Sequence, residues 1–546
     1  MKVMMRAIAL LCLVVAAPLY ALASPEHVPA PAAQAALERA KALDKQKQPA
    51  EALAAFIVAI EADPDFLAAH EQLEESMDRW RFAAHRQKDP KLKSQPDEMR
   101  KSVDMKYKEW ERRFPDSVGV PYGMGVQLAG REDPGARPYL LKAAARDPNN
   151  AKIYSMLSFD AERWGDKKSS LEYMHKAALL DPQNPDYAFY YASALKKTDP
   201  SQGEKAMFDV PERFPTSERG AQALYWLAAE APDDAKRIAI LEHLRQQFSP
   251  EKFSWSSGGM SDLFDAYLRV DSLKAMKLAQ EMQSEKGSGK ESKEWTGRVQ
   301  LAQTYIQVNQ KVAAGKPEDA VALLDKLSAN PRSANAAMLV RLKAQVMIKA
   351  GQLKGAYASL LKQQAKWPED ATRAALQSAG KQLNKTAAQV HADLKRSLDA
   401  NAKIAPPFKL QQYGSAGTVS LAKLRGKVVL LTFWFPGCGP CRAEFPHFEA
   451  VMQQLRQKDV VYLGINVQRD QDVYVLPFMA KTQYSFLPLK STPDADIGGK
   501  ETREYQVRGE PTNFLIDRTG RIVYRDFMID DSGGESVVKQ MIESVL

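Results

Sequence analysis

The sequence predicts two fold classes in one chain: an all-α solenoid of helical repeats, followed by a smaller α/β domain. Three observations support this expectation. A helical pattern recurs through most of the chain, the hydrophobic pattern becomes strand-like from Lys427 onward, and a close pair of cysteines, Cys438 and Cys441, follows that strand-like run. Because 546 residues are too many for a single hydrophobic core, we expect several packing units.

Composition narrows the possible function classes. Hydrophobic residues make up 45% of the chain and charged residues 26%, which is typical of a folded protein and not of a disordered chain or a membrane bundle. The net charge of +9 is spread along the chain without a basic run or interleaved aromatic residues. We therefore expect no nucleic-acid partner.

Residues 1–23 have the pattern of a secretory signal peptide. Lys2 and Arg6 precede the apolar run Ala7–Ala17, and a small-residue Ala-Leu-Ala sequence comes just before Ser24. We expect export to the periplasm or another compartment outside the cytoplasm, with the mature chain starting near Ser24. An uncleaved leader that anchors the protein to a membrane stays open as an alternative.

Export changes how the cysteines are interpreted. Cys12 lies in the leader, so the mature protein keeps only Cys438 and Cys441. Structural disulfides in exported proteins are usually several and far apart in sequence. A lone Cys-x-x-Cys pair closes a very short loop and contributes little stability, so it indicates chemistry instead.

After a Pro- and Ala-rich linker at residues 24–34, a helical pattern fills residues 35–400. Its unit is a small or apolar residue, a bulky residue four positions later, an apolar or small residue three further, and a proline five beyond. The copies are Ala52, Phe56, Ala59, Pro64; Val103, Tyr107, Trp110, Pro115; Ala136, Leu140, Ala143, Pro148; Ser170, Met174, Ala177, Pro182; Gly203, Met207, Val210, Pro215; and Ala356, Leu360, Gln363, Pro368. From Pro115 to Pro215 the prolines are 33, 34 and 33 residues apart.

This pattern resembles tetratricopeptide (TPR) repeats, in which two antiparallel helices form each unit and stacked units bury each other's apolar faces. The proline stops each second helix because it cannot continue one. The resemblance implies an extended surface that docks a partner protein, and no single contact residue follows from it. Between Ser249 and Trp295 the sequence indicates helices, such as Leu263–Met282, without a clear period.

A composition change marks the second fold class. Residues 401–407 form a short Pro-containing linker, and residues 408–546 form the predicted α/β domain. Val428–Leu431 is predicted as a buried strand that ends at Phe433-Trp434, because its residues are continuously apolar and mostly β-branched or bulky.

Cys438 and Cys441 lie on the predicted turn from this strand into a helix. The N-terminus of a helix offers unpaired N–H groups and a partial positive charge, both of which stabilise a thiolate. Cys438 is therefore the predicted nucleophile. Cys441, one turn later, is predicted to attack the mixed disulfide and release the partner. Half of a zinc site is an alternative, but the only histidine of the domain is His447 and no second cysteine pair follows.

Three segments carry a wider resemblance: the run Gly426–Trp434 before the cysteines, Arg442–Pro446 after them, and Val507–Asp517 near the end of the chain. Together they resemble the thioredoxin superfamily, and most of all the exported thiol-disulfide oxidoreductases of the TlpA and ResA type in the AhpC/TSA/redoxin superfamily. The resemblance covers about Ala405 to Leu546 and implies a thioredoxin fold.

The same resemblance implies roles for further residues. Pro511 is expected to be a cis proline that faces the cysteine pair, and Glu510 to pair its backbone with a substrate segment. Gly439 and Pro440 are expected at the same substrate-binding surface. Glu444 is expected to help proton transfer at the buried thiol, with a surface carboxylate as the alternative.

Two positions depart from the family pattern. Gly437 stands where many relatives have tryptophan, which makes the surface beside the first cysteine less apolar. Thr432 stands where thioredoxin has a buried aspartate, which shifts the expected proton acceptor toward Glu444. Arg442 and His447 are expected as solvated helix positions.

We therefore expect an exported thiol-disulfide oxidoreductase that reduces protein disulfides, since the Gly-Pro pair between the cysteines is the one found in thioredoxin. Its expected partners are protein thiols and disulfides, an upstream electron donor and a protein docked on the repeats, with a membrane only if the leader is uncleaved. No cofactor and no metal are expected. The substrate could be the haem-site thiols of a cytochrome c apoprotein or another exported protein.

Three other functions stay open. The repeats could act as a scaffold beside a secondary redox domain, or the chain could be a peroxidase of the peroxiredoxin type or a copper-delivery protein. The missing threonine in Pro436–Cys438 disfavours the peroxidase, and the lack of any histidine after His447 disfavours copper delivery.

Overall fold

The computed structural model describes residues 27–84, 90–285, 290–327, 334–494, 499–529 and 534–546. The predicted signal peptide, with Lys2, Arg6 and Cys12, lies outside these residues. None of the helices that the structure describes combines the length and hydropathy needed to cross a membrane.

Helices α1 to α20 occupy the chain up to Asp399, in agreement with the predicted helical region. They are α1 (Pro31–Lys45), α2 (Pro49–Ala62), α3 (Leu67–Ala84), α4 (Pro90–Arg113), α5 (Gly119–Gly130), α6 (Ala136–Arg146), α7 (Ala151–Arg163), α8 (Lys167–Leu180), α9 (Pro185–Lys196), α10 (Pro200–Arg213), α11 (Glu218–Ala229), α12 (Asp234–Gln247), α13 (Ser254–Val270), α14 (Ser272–Glu285), α15 (Lys290–Ala313), α16 (Pro317–Leu324), α17 (Ala334–Lys349), α18 (Leu353–Lys366), α19 (Asp370–Gln382) and α20 (Ala387–Asp399). This succession of short helices is compatible with TPR-like repeats.

The repeated prolines end helices. Pro148 and Pro182 each lie two residues beyond the last residue of a helix, α6 and α8, where a proline is common because it cannot continue the helix. The small and bulky residues of the repeat pattern face inward: Ala136, Leu140 and Ala143 are completely buried. The sequence pattern therefore marks both the helix ends and the packed faces.

One predicted helical stretch is divided. The segment Leu263–Met282, read from the sequence as helical, belongs to α13 and α14, which are separated at Asp271. The side chain of Asp271 accepts hydrogen bonds of 3.1 Å from the backbone N–H groups of Leu273 and Lys274. Asp271 thus starts α14 as an N-cap, and the apolar residues on both sides hid this boundary.

The chain divides into two compact units. Of the described residues, the first comprises those up to Gln127, Ala136–Ser158 and Leu171–Tyr187, and the second comprises Leu128–Gly135, Phe159–Ser170 and those from Ala188 onward. The core of the first unit includes the buried aromatic residues Phe56, Tyr107 and Trp110. The helical core of the second unit includes Phe248 and Phe264.

The second unit ends in an α/β domain with a six-stranded mixed sheet. Its strands and helices are β1 (Lys403–Ile404), β2 (Lys409–Gln411), β3 (Thr418–Ser420), β4 (Val428–Trp434), α21 (Gly439–Gln454), β5 (Val460–Asn466), α22 (Asp472–Thr482), β6 (Leu487–Lys490), α23 (Gly499–Tyr505), β7 (Thr512–Ile516), β8 (Arg521–Phe527) and α24 (Gly534–Glu543). The order in the sheet is β1-β8-β7-β4-β5-β6, and β2 pairs with β3 separately. The central strand β4 is parallel to β5 and antiparallel to β7.

Strand β4 is buried on both faces, as its apolar run predicts. Leu430 and Trp434 belong to one core cluster, which includes aromatic residues of α21, whereas Leu431 and Phe433 belong to the cluster on the other face. Successive side chains of a strand point to opposite faces. Thr432 therefore lies on the same face as α21, which begins just after the strand.

The predicted linker at residues 401–407 contains a short strand. Lys403 and Ile404 form β1, which pairs antiparallel with β8. Earlier in the chain, the amide of Gln364 in α18 donates a hydrogen bond of 2.8 Å to Gln540 in α24. The last helices of the repeat region and the α/β domain are therefore joined by packing as well as by the chain.

Candidate active site

The two cysteines form a disulfide at the start of α21. Their Cα atoms are 5.3 Å apart. Cys438 is the N-cap residue, and its Sγ accepts a hydrogen bond of 3.2 Å from the backbone N–H of Cys441. Cys438 is 2% exposed and Cys441 is fully buried. When the bond is reduced, the free N–H groups and positive end of the helix stabilise a thiolate on Cys438.

The residues around the cysteines differ in exposure. Gly439 and Pro440, between the two cysteines, are exposed, whereas Gly437 is buried. The backbone N–H of Gly437 donates a hydrogen bond of 2.8 Å to the side-chain oxygen of Gln471. The turn is therefore held from the side that precedes Cys438 and is open at the Gly-Pro pair.

Glu444 lies one helical turn beyond Cys441 and is 2% exposed. Its Oε2 accepts a hydrogen bond of 2.8 Å from the amide of Asn513, and its Oε1 accepts one of 2.7 Å from the backbone N–H of Ile529. Burial raises the pKa of Glu444 to about 7, against these two hydrogen bonds that lower it. A carboxyl group with this pKa can hold or release a proton near neutral pH.

Asn513 is a site residue that sequence reasoning did not single out. It is completely buried in β7 and faces Thr432 in the antiparallel register of β4 and β7. Thr432 Oγ1 donates a hydrogen bond of 2.8 Å to Asn513 Oδ1, while Asn513 Nδ2 donates to Glu444 and, at 2.9 Å, to the carbonyl of Phe527. The signal for this residue was a polar amide side chain directly before the apolar run Phe514–Ile516 of the same strand.

The segment before β7 carries Pro511. The peptide bond between Glu510 and Pro511 is cis, and Pro511 is buried. Pro511 directly precedes Thr512, which is paired with Phe433 near the end of β4. It therefore lies at the end of the central strands β4 and β7 where the cysteine turn also begins. Burial raises the pKa of the partly buried Glu510.

The expectation that Arg442 is a solvated helix position is wrong. Its guanidinium donates a hydrogen bond to the backbone carbonyl of Arg163 and lies 3.5 Å from the carbonyl oxygen of Pro436. Burial lowers the pKa of Arg442 to about 10. His447 is partly buried and lies 3.1 Å from the carboxylate of Glu535.

Two turns of the helical region also contact the site. Glu132 lies against Gly437, and Arg163, as above, accepts from Arg442. Both turns belong to the second unit. The sequence held no sign of these contacts, because residues so far apart are brought together only by tertiary packing. In the parts of the chain that the structure describes, no group of three or more His, Cys, Asp or Glu residues could hold a metal ion.

The C-terminal part of the chain is similar in sequence to known proteins. The AhpC/TSA family matches residues 402–525. The chain is 31% identical over 145 residues to the thiol:disulfide interchange protein HelX of Rhodobacter capsulatus, which covers 26% of this chain and 76% of HelX. It is 30% identical over 125 residues to the thiol-disulfide oxidoreductase ResA of Bacillus thuringiensis subsp. konkukian, which covers 23% of this chain and 65% of ResA. A crystal structure of a thiol:disulfide interchange protein of the thioredoxin family from Chlorobium tepidum TLS is 22% identical, covers 27% of this chain and 98% of that chain, and has a TM-score of 0.24.

Proposed function

Because the chain belongs, through its C-terminal α/β domain, to the AhpC/TSA family and is a thiol-disulfide oxidoreductase of the thioredoxin fold, we propose that it reduces disulfides in exported proteins through Cys438 and Cys441. The observation that carries the proposal is the disulfide between these residues on the N-terminus of α21. The Gly439-Pro440 pair supports the reducing direction, since thioredoxin has the same pair and a low reduction potential of about −270 mV.

The proposed reaction begins with the reduced pair. The Cys438 thiolate attacks one sulfur of the partner's disulfide, the partner's S–S bond breaks, and the leaving thiolate takes up a proton. The Cys441 thiolate then attacks Cys438, releases the partner's second thiolate and closes the Cys438–Cys441 bond. The partner has gained the electron pair that the two cysteines lost, and an upstream dithiol donor returns it.

Glu444 is proposed to move the proton of Cys441. Cys441 is buried and must lose its proton before it can attack the mixed disulfide. Glu444 lies three residues later on the same helix, and its pKa of about 7 is matched to proton transfer at neutral pH. The exchange of Cys441 should therefore depend on pH through Glu444.

The partner segment is proposed to bind beside the exposed Gly439 and Pro440 and along the backbone of Glu510 before Pro511. An extended segment can form backbone hydrogen bonds with Glu510, so recognition needs little side-chain specificity. A disulfide between the haem-site cysteines of a cytochrome c apoprotein and disulfides of other exported proteins both fit this mode.

The repeats are proposed to dock a protein partner, and the predicted leader to direct the protein out of the cytoplasm. Arrays of helix pairs offer large surfaces for protein binding, which supports the first point. The leader pattern of residues 1–23 supports the second. Membrane attachment follows only if this leader is retained.

The catalytic proposal is tested by insulin reduction with the full mature chain. We expect Cys438→Ser to lose turnover, because the attacking thiol is gone and the remaining thiol of Cys441 is fully buried, and Cys441→Ala to accumulate mixed disulfides that Cys438 cannot resolve. Wild-type protein that is kept reduced also lacks the Cys438–Cys441 bond. It therefore shows whether the absence of this bond alone changes the insulin turnover. Turnover that survives in Cys438→Ser would contradict the proposed role of Cys438 as the attacking thiol.

The docking proposal is tested by competition. Full-length Cys441→Ala is used to trap partners in an extract, with and without an excess of the full-length variant that has serine at both cysteine positions. That competitor has intact repeats and no thiols. A reduced catch supports docking outside the thiol pair, and an unchanged catch argues against it.

A further inference from the structure

The position before the first cysteine has room for no side chain. A Cβ atom placed on Gly437 would lie 2.3 Å from Glu132 Oε2 and 2.5 Å from Glu132 Cβ. Real Cβ atoms do not approach other atoms so closely, so the side chain of Glu132 occupies the space that a Cβ atom on Gly437 would need. Glycine at this position is therefore explained by a residue from the turn between α5 and α6.

Glu132 has an unusual backbone for its residue type. Its φ is +59°, in the left-handed region, where a non-glycine residue is uncommon. The turn after α7 places Gly165 in the same region, with a φ of +73°. A glycine would suit the turn of Glu132 better, because it adopts this backbone without strain. The presence of a glutamate at position 132 is therefore not explained by the backbone of its own turn. The contact of its side chain with Gly437 offers an explanation.

Further contacts hold both turns against the redox domain through α22. Tyr474 donates a hydrogen bond of 3.0 Å to Asp133, and its ring packs edge-on against Trp164 with centroids 6.0 Å apart. Lys481 forms an ion pair of 2.8 Å with Asp166. Contacts of this kind are individually weak, with exposed ion pairs worth about 0–1 kcal/mol, so they can close a turn and still release it.

The contacts affect the approach to the disulfide. A thiolate must reach a sulfur of the pair, and Cys438 is 2% exposed although its neighbours Gly439 and Pro440 are exposed. Thiol-disulfide exchange depends on access to the attacked sulfur. A bulky protein thiol therefore needs the turn of Glu132 to move, whereas a small dithiol needs less space.

We propose that Glu132 is a specificity-determining residue of the redox site: its side chain, wedged against Gly437, closes the approach to Cys438 and admits a protein thiol only when the turn Leu128–Gly135 withdraws. This rests on the proposed disulfide exchange and adds size selection to it. Small dithiols react with the closed form, and protein partners react with the withdrawn form.

The expected size of the effect follows from the population of the withdrawn form. Minor conformations of this kind are commonly populated at roughly 0.1–10%, and the rate through such a form falls by its population. Removing the wedge should therefore speed the reaction with a protein dithiol by roughly tenfold or more, and the reaction with a small dithiol much less.

The test uses the oxidised full-length protein and two reductants, dithiothreitol and reduced thioredoxin. Each gives its electron pair to the Cys438–Cys441 bond and becomes oxidised itself, and the two freed thiols are counted by maleimide mass addition. We expect Glu132→Gly to raise the thioredoxin rate relative to the dithiothreitol rate by roughly tenfold. Glu132→Gln keeps the volume of the side chain and should keep the wild-type ratio.

Two further variants test whether the change in the rate ratio is specific to the contact between Glu132 and Gly437. Asn384→Gly makes the same change to a left-handed residue, at a φ of +57° in the turn between α19 and α20, and should leave the ratio unchanged. Gly437→Ala adds the Cβ that Glu132 excludes, so it should raise the ratio in the wild-type chain and not in Glu132→Gly. This second route keeps the test open if Glu132→Gly does not fold.

A ratio that stays at the wild-type value in both Glu132→Gly and Gly437→Ala would overturn the proposal, as would equal acceleration by Glu132→Gln, which would assign the effect to charge. These outcomes are separate from the failure of the proposed function. Access to the disulfide is measured even if insulin is never reduced, and insulin turnover can persist when the ratio does not change.

Discussion

The side-chain amide of Asn513 donates a hydrogen bond of 2.8 Å to the carboxylate of Glu444, on the helix that carries Cys441. Thr432 fixes the orientation of that amide, because its hydroxyl donates to Asn513 Oδ1 and leaves Nδ2 to face Glu444. A buried acid is thus joined to two strands of the sheet. Four predictions follow from this contact and from other titratable groups.

Glu444 should make stability fall as pH rises. Its pKa is raised by burial from 4.5 to about 7, so between these values the folded chain holds a proton that the unfolded chain has released. The free energy of unfolding therefore decreases across this window, by at most roughly 3 kcal/mol at about 1.4 kcal/mol per pKa unit. Glu444→Gln should lose this slope in urea unfolding measured at several pH values.

The control for this measurement is Glu449→Gln on the same helix. Burial raises the pKa of Glu449, but hydrogen bonds from the backbone N–H and hydroxyl of Ser485 outweigh it and leave the pKa lowered. Its stabilising contribution is therefore present above the ordinary glutamate pKa and lost as pH falls, the opposite sign. Equal pH slopes in wild type and Glu444→Gln would contradict the assignment of a buried, protonated Glu444.

Thr432→Val should change the pKa of Glu444 indirectly, through Asn513. The change keeps the shape of the side chain but leaves the buried Oδ1 of Asn513 without its donor, at a cost of about 1–3 kcal/mol. A less firmly held amide stabilises the Glu444 carboxylate less, so the pH midpoint of disulfide exchange should move upward. Thr432→Ser keeps the hydroxyl and should restore the wild-type midpoint. A lowered stability with an unmoved midpoint would show that Thr432 serves packing alone.

His70 should make the first unit sensitive to acid. It is completely buried, and burial lowers its pKa from 6.5 to about 4. Between these values the unfolded chain binds a proton that the folded chain does not, so stability falls as pH drops through this window. His70 Nε2 donates to the Pro64 carbonyl at 3.0 Å, so its Nδ1 accepts from Tyr107 at 2.7 Å in the neutral ring.

The measurement is hydrogen exchange of α3 between the two pH limits in wild type and His70→Gln. The variant should lose most of the acid-induced loss of protection, which amounts to at most roughly 3 kcal/mol. His243→Gln changes an exposed histidine and should follow the wild type. Acid sensitivity that persists in His70→Gln would assign it to other groups.

Asp166→Asn should weaken the closure of the redox site in a way that depends on salt. Burial raises the pKa of Asp166, but hydrogen bonds from Lys481 and Ser169 hold it well below its usual range, so the ion pair is formed above that range and lost as pH falls. Both partners are partly exposed, which limits the pair to about 0.2–1 kcal/mol.

Reduction of the Cys438–Cys441 bond by thioredoxin should therefore become faster with ionic strength in the wild type, since salt screens the ion pair between Asp166 and Lys481. In Asp166→Asn this rate should be higher at low salt and should increase less. The control is Lys311→Met, which removes a comparable exposed ion pair between Lys311 and Asp319. This variant should not alter the rate of reduction by thioredoxin. A salt dependence identical in wild type and Asp166→Asn would separate the ion pair from the closure.

Local signals predicted most of the fold and the position of the cysteine pair. The apolar run of β4, the repeated prolines after the helices and the Cys-x-x-Cys pair each act over a few residues, so they are readable along the chain. Asn513 was missed because its partner depends on the register between β4 and β7. Glu132 was missed because nothing near it in sequence refers to Gly437. Arg442 was misplaced because a cation on a helix is usually solvated, whereas its hydrogen bond to the backbone carbonyl of Arg163 depends on a tertiary contact.

The contact between Glu132 and Gly437 also limits how freely the two halves of such a protein can be recombined. A redox domain with a tryptophan before its first cysteine, grafted onto these repeats, would collide with Glu132 unless that residue changed as well. The two positions are therefore coupled by packing, and we expect a chimera to fold and react normally only when both are exchanged together. Within the α/β domain alone Gly437 looks like the loss of a side chain. In the whole chain the space of that side chain is occupied by Glu132 from the helical region.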